Sequence, residues 1–178
     1  MAVGVGGEIL PETLEKMVDN CGAIFVDIQA LIRVFDTNER VKLVGLIKES
    51  GFYHLLPFEK FLKVSSEEAL FMDMEKVGQR CCVVVTHGKD GCGIYRKDGK
   101  IKIEPFGANQ MDPTDGGDSF LGAFVGGLVH GLGVHDAAFV GHFFGSLSVA
   151  RIGLPKFDLR LLLLSCLSTL GTVLSLTF

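Results

Sequence analysis

The sequence has no Cys-x-x-Cys pair, no basic stripe, and no positively charged leader ahead of an apolar core. Its five cysteines, Cys21, Cys81, Cys82, Cys92 and Cys166, are an odd set, with two adjacent inside an apolar run. That argues against a disulfide framework or a spaced zinc site and for a reducing cytosol, so a cytoplasmic protein is expected. The net charge of −4, spread without clustering, argues against nucleic acid as the main partner. A missing n-region removes the secretory-signal reading. No internal repeat and no low-complexity linker interrupts the chain. What remains is 178 residues, 48% of them apolar, which is one folded domain's worth and enough to bury a core.

The order of patterns is that of an α/β fold. Val3-Gly4-Val5-Gly6-Gly7 is not a dinucleotide loop, since Ile9 stands where the third glycine belongs; it reads as a strand end and turn. Pro11 and Glu12 open a helix through Asn20 with Leu14, Met17 and Val18 on one face. Ala23 to Ile28 is a continuous apolar strand of the kind found in parallel sheets. Asp27 and Gln29 read as its polar exit, at the end of a strand where open α/β sheets bind ligands. Asp36 to Arg40 is a turn, Val41 to Val44 a short strand, and Phe61 to Val64 another strand. Ser65 and Glu68 have capping-box spacing and predict a helix through Met74. Cys81 to Thr86 is the clearest buried strand. His87 to Gly91 is a tight turn with His87 exposed, and Gly93 to Ile103 a β-hairpin about Asp98-Gly99.

Asp112-Pro113-Thr114-Asp115-Gly116-Gly117-Asp118-Ser119-Phe120 precedes a long apolar run punctuated by glycine. It reads as a loop turning into a helix, with Asp118 or Ser119 as N-cap. Open N–H groups and the helix dipole make such a start an anion site. An acid there can also take a proton from an incoming hydroxyl. A second helix is predicted from Asp136 to Ile152, stopped by Gly153-Leu154-Pro155.

The segment Asp112 to Phe120 resembles the Asp-Thr-Gly-Ala-Gly-Asp-Ser-Phe signature of the pfkB (ribokinase-like) carbohydrate kinases. Thr86-x-Gly88-x-x-Gly91 resembles that family's second nucleotide motif. Ser65-x-x-Glu68 resembles its Asn-x-x-Glu motif, with Ser in place of Asn. Within the family the chain looks most like the inositol kinases of plants. The resemblance implies a ribokinase-like three-layer α/β sandwich with a mostly parallel sheet, using ATP and Mg2+ to phosphorylate a small polyol or sugar such as myo-inositol. By position it implies Asp118 as the catalytic base and the backbone of Asp115, Gly116 and Gly117 as the anion hole. It also implies Ser65, Thr86, Gly88, Gly91 and His142 at the nucleotide, and Glu68 at magnesium through water. His142 reads equally well as a partly buried helix histidine with no ligand role.

The resemblance covers most of Gly4 to Asp158 and corresponds to the C-terminal part of a family kinase, so the fold is expected truncated at its N-terminus. Residues 1–158 form the kinase part and 159–178 a divergent apolar tail. Loss of the family's β-strand lid would leave an open sheet edge, an association hazard through which a homo-oligomer could form. Asp115 replaces a glycine; a carboxylate ~4 Å from a phosphate charge costs about 4 kcal/mol at an effective dielectric of ~20. The alternative is a catalytically impaired fragment that binds nucleotide or a partner. Leu161 to Phe178 carries no charge but six Ser or Thr residues, so membrane tethering rests on a marginal span.

Overall fold

The computed structural model describes residues 1–44, 51–153 and 155. The chain divides into two units between Pro105 and Phe106.

In the first unit, α1 spans Pro11–Asn20 with Pro at its start and Glu12 in its first turn. Both suit an N-terminus, where a backbone N–H has no partner and the dipole favours an acid. Leu14 is the residue of α1 that becomes fully buried. There follow β1 (Ile24–Asp27), the single turn α2 (Gln29–Ile32), β2 (Arg33–Phe35), β3 (Val41–Leu43) and β4 (Glu59–Ser65). The unit closes with α3 (Met74–Gly78), β5 (Cys82–Thr86), β6 (Cys92–Arg96) and β7 (Gly99–Ile103).

The main sheet has the order β1-β4-β5-β6-β7. β1, β4 and β5 run parallel, and β6 and β7 return antiparallel as a hairpin. Ala2 adds a parallel bridge outside β1 at Val26. The parallel strands are the continuous apolar ones, and Val26, Leu62, Val64, Val83 and Val84 are fully buried. Because all three parallel strands end on one side, Asp27, Ser65 and Thr86 mark a common carboxyl edge.

One local feature was not anticipated and one local expectation changes. Arg33–Phe35 is a strand that pairs with β3 as a separate two-stranded ribbon around the Asp36–Arg40 turn. Its three residues are too few for a two-residue period to show. The helix expected from Ser65 to Met74 is a 3-10 turn at Glu68–Phe71, and α3 then starts afresh at Met74. Asp73 interrupts by capping the new helix, its carboxylate accepting the Lys76 N–H at 3.2 Å.

The second unit holds α4 (Gly116–Val129) and α5 (Val134–Val149). The N-cap of α4 is Asp115, not Asp118 or Ser119, and that of α5 is Gly133, not Asp136. Gly116 and Gly117, read as loop, are helical because packing outweighs their low propensity. A β-carbon on Gly116 would come within 2.6 Å of Val149 Cγ1. One on Gly141 would come within 2.9 Å of the Phe120 carbonyl, and one on Gly145 within 3.0 Å of the Gly116 carbonyl. Glycine therefore sets how closely α4 and α5 approach. α4 ends in a Schellman motif: Gly131, at φ +88°, donates to the Leu128 carbonyl, and Leu132 donates to Gly127. Among the described residues no helix is long and apolar enough to cross a membrane, and the tail 159–178 lies outside them.

Candidate active site

The residues singled out in the sequence divide between the two units. In the first unit, Ser65 and Thr86 are direct neighbours at the carboxyl ends of β4 and β5, and the Ser66 N–H donates to the Thr86 carbonyl at 2.9 Å. The Thr86 hydroxyl donates to the Val64 carbonyl at 3.4 Å. The chain then turns through a 3-10 segment, Gly88–Asp90, closed by His87 N–H donating to the Gly91 carbonyl at 2.9 Å. Gly91 has φ +89°, and a β-carbon there would lie 2.1 Å from the Ile103 carbonyl oxygen. Glycine is required at 91 because the turn packs against the end of β7.

Glu68 completes the capping box that the sequence spacing predicts. Its Oε2 accepts the Ser65 N–H at 2.9 Å, and its own N–H donates to Ser65 Oγ at 3.2 Å. Its Oε1 accepts from Arg33 Nη2 at 3.0 Å. The Glu68 carboxylate is buried, while the Arg33 side chain keeps 33% of its exposure. Beside them lies a second ion pair. Lys63 Nζ donates to Asp27 Oδ2 at 2.8 Å, and the Gln29 N–H donates to Asp27 Oδ1 at 3.2 Å. Asp27 is fully buried, and burial pushes its carboxyl above the usual range; Lys63 and the Gln29 N–H pull it down, and Glu68 pushes it up.

Sequence reasoning missed the Lys63 and Arg33 partnerships and left Asp27 as a polar strand exit. The signal was present. A lysine inside the buried Phe61-Leu62-Lys63-Val64 strand needs a counter-ion, and Asp27 ends the neighbouring apolar strand. Burial also pushes the Cys81, Cys82 and Cys92 thiols up, Cys92 to about 12, so none of these is a nucleophile near neutral pH.

In the second unit, Met111 and Asp112 both donate N–H groups to the Val149 carbonyl, at 2.7 and 3.1 Å, which pins the loop before α4 to the end of α5. Asp112 Oδ1 accepts from both the N–H and the hydroxyl of Thr114, and these bonds hold its carboxyl below the usual range. Asp115 follows with φ −95°, an ordinary angle for a side chain, and makes no capping bond of its own. Asp118 is exposed in the first turn of α4. The N–H groups of Gly117 and Asp118 have no acceptor earlier in the helix, as at any helix start. That combination can bind an anion and accept a proton beside it.

His142 lies on α5, 8% exposed and stacked on Phe106 with ring centroids 6.2 Å apart. Its Nδ1 accepts the Phe106 N–H at 3.4 Å, which places the ring hydrogen of the neutral imidazole on Nε2. Among the described residues no three His, Cys, Asp or Glu side chains group as a metal cage. Both Glu68 oxygens already accept hydrogen bonds. That arrangement fits a magnesium ion reached through water rather than one caged by protein side chains.

Residues 58–156 match the pfkB family carbohydrate kinase. The chain is 63% identical over 163 residues to the inositol 3-kinase of Arabidopsis thaliana, covering 91% of this chain and 46% of that protein. To the inositol 3-kinase of Oryza sativa it is 49% identical over 166 residues, covering 91% and 42%. The chain thus spans less than half the length of these relatives. A solved pyrophosphate-dependent kinase of the ribokinase family, complexed with a pyrophosphate analogue and myo-inositol, superposes with a TM-score of 0.73 at 17% identity, over 84% of this chain and 57% of that one. At that identity the likeness shows the fold, which is ribokinase-like α/β. The signature at Asp112 to Phe120 and the match over more than half of its residues place this chain in the pfkB family of carbohydrate kinases.

Proposed function

We propose that the chain carries the phosphoryl-transfer residues of an ATP-dependent polyol kinase acting on myo-inositol or a close analogue. The observation that carries this reading is Asp118, exposed in the first turn of α4 among N–H groups without helical partners. The acceptor is taken from the two inositol 3-kinases, with their high identity to this chain.

In this reading Asp118 accepts the proton of the polyol hydroxyl as that oxygen attacks the terminal phosphorus of ATP, and ADP leaves. The backbone at Asp115, Gly116 and Gly117 holds the transferred phosphoryl group, with the Gly117 N–H as a donor and the Gly116 N–H given to the Pro113 carbonyl at 3.3 Å. Such transfer relies on positioning and charge stabilisation rather than covalent chemistry. Ser65, Thr86, Gly88 and Gly91 border the nucleotide phosphates, and His142 lies beside the base. Magnesium arrives as part of the Mg·ATP substrate, and Glu68 reaches it only through water. A reducing cytosol suits the free thiols of Cys21, Cys81, Cys82 and Cys92.

The test is ATP turnover by the purified chain with magnesium and a polyol panel including myo-inositol, run beside Asp118→Asn. The expected result is inositol-dependent turnover that falls about 10²- to 10⁴-fold in the variant, the usual worth of a positioned general base. Equal turnover in the two proteins would remove Asp118 from the mechanism.

A further inference from the structure

We infer that Arg33 is a contact for the phosphate chain of the phosphoryl donor, and that Glu68 acts by holding Arg33. The inference rests on the kinase reading and adds a residue and a role to it. Arg33 and Glu68 stand at the carboxyl edge of the parallel strands, the side on which open α/β sheets bind ligands. Glu68 is buried and spends one oxygen on the Ser65 N–H and the other on Arg33. It thereby anchors Arg33 and touches no ligand atom directly.

Arg33 is the partner that still faces solvent, with 33% of its side chain exposed. A guanidinium has five N–H donors in a rigid fork. The contact with Glu68 uses Nη2. A guanidinium fixed by a buried carboxylate presents its remaining donors in one orientation, and that fork matches phosphate oxygens two at a time. Its backbone is fixed as well. A β-carbon on Gly6 would meet Arg33 Cβ at 2.9 Å and the Arg33 carbonyl at 3.0 Å, so the amino-terminal loop packs directly on it. The nearby Asp27–Lys63 pair is internally neutral, and the Glu8 carboxylate is occupied by the Val5 and Gly6 N–H groups. The ligand chemistry is a polyphosphate, which a nucleoside triphosphate and inorganic pyrophosphate share.

The experiment is calorimetric titration of the whole 178-residue chain with Mg·ATP, with inorganic pyrophosphate and magnesium, and with adenosine, which has no phosphate. The proteins are the wild type, Arg33→Lys, Arg33→Met, and Arg33→Met combined with Glu68→Gln. The double variant leaves no buried carboxylate unpaired, so it keeps the test valid where the single variant unfolds. The expected result is polyphosphate binding weakened about tenfold or more without Arg33, adenosine binding unchanged, and partial recovery in Arg33→Lys. Weakening confined to ATP or to pyrophosphate supports the inference and names the donor. Polyphosphate affinity equal to wild type without Arg33, or adenosine affinity falling in step, overturns it. A wild type that binds neither polyphosphate removes the kinase reading and this inference together, whereas wild-type binding that ignores Arg33 removes the inference alone.

Discussion

Glu59 begins β4, is 3% exposed, and neither of its carboxylate oxygens has a hydrogen-bond partner. Burial pushes its carboxyl from the ordinary 4.5 up to about 8. The folded protein therefore keeps Glu59 protonated at pH 6 to 7, while the unfolded chain releases that proton above pH 4.5. In that window the folded state binds more protons, so stability falls as pH rises. The stabilising effect of protonation is complete below pH 4.5 and lost by about pH 8. Each pH unit is worth about 1.4 kcal/mol, so the whole interval of 3.5 units is worth about 5 kcal/mol. Between pH 5.5 and 7.5 the loss is roughly 3 kcal/mol, or roughly 5–10 °C of melting temperature for a chain of this size.

The perturbation is Glu59→Gln, which keeps the shape and a neutral polar group but cannot ionise. Asp27 is also raised by burial and slopes in the same direction, so the informative quantity is the difference between wild type and variant at each pH. The Cys81 thiol beside Glu59 is itself pushed up and stays neutral throughout. Melting followed by circular dichroism from pH 5 to 8.5 is the assay. The two proteins should agree near pH 5 and diverge as pH rises, with the variant the more stable. Parallel curves would refute the reasoning, because they would mean that Glu59 ionises in place or has found water.

Three further outcomes follow from the geometry. Gly91→Ala puts a β-carbon 2.1 Å from the Ile103 carbonyl at φ +89°, and chemical denaturation should show a loss of about 3 kcal/mol or more. Gly145→Ala meets the Gly116 carbonyl at 3.0 Å and must displace the first turn of α4 by a few tenths of an ångström; it should cost about 1 kcal/mol in stability but roughly tenfold in turnover, measured by coupled assay against wild type. Asp115→Gly removes a carboxylate from the start of α4, and a comparison of initial rates should show faster turnover, by up to roughly three orders of magnitude if the full ~4 kcal/mol falls on the transition state.

Much of the fold was legible because its signals are local. Pro11 and Glu12 mark the start of α1 at the residue where it begins, and the apolar runs of β1, β4 and β5 report burial on both faces. The capping box at Ser65 and Glu68 forms as its spacing requires, yet the helix it should have started lasts one 3-10 turn, because Asp73 supplies a competing cap five residues later. The ribbon of β2 and β3 was half seen: the turn and β3 are local, but Arg33–Phe35 is a strand only through its pairing. The Asp27–Lys63 and Arg33–Glu68 pairs join residues 36 and 35 positions apart. Sequence can say that a buried lysine needs an acid; only the register of β1 on β4 says which.

The glycines of the signature motifs show where a motif's chemistry and its packing part company. Gly116 stands in what the family resemblance makes an anion hole, a position explained by close approach of phosphate to backbone. Here a β-carbon on Gly116 would first strike Val149, and Gly91 is held by the Ile103 carbonyl. Asp115, which replaces a glycine, sits at φ −95°, where any residue is at ease. Backbone strain therefore does not distinguish Asp115 from glycine, and its carboxylate charge and its bulk are what remain to affect a bound phosphate. An Asp115→Asn variant separates the two ideas: it removes the charge and keeps the bulk. If Asn matches Gly in turnover, charge alone explains the effect; if only Gly accelerates the reaction, phosphate approaches that residue too closely for any side chain.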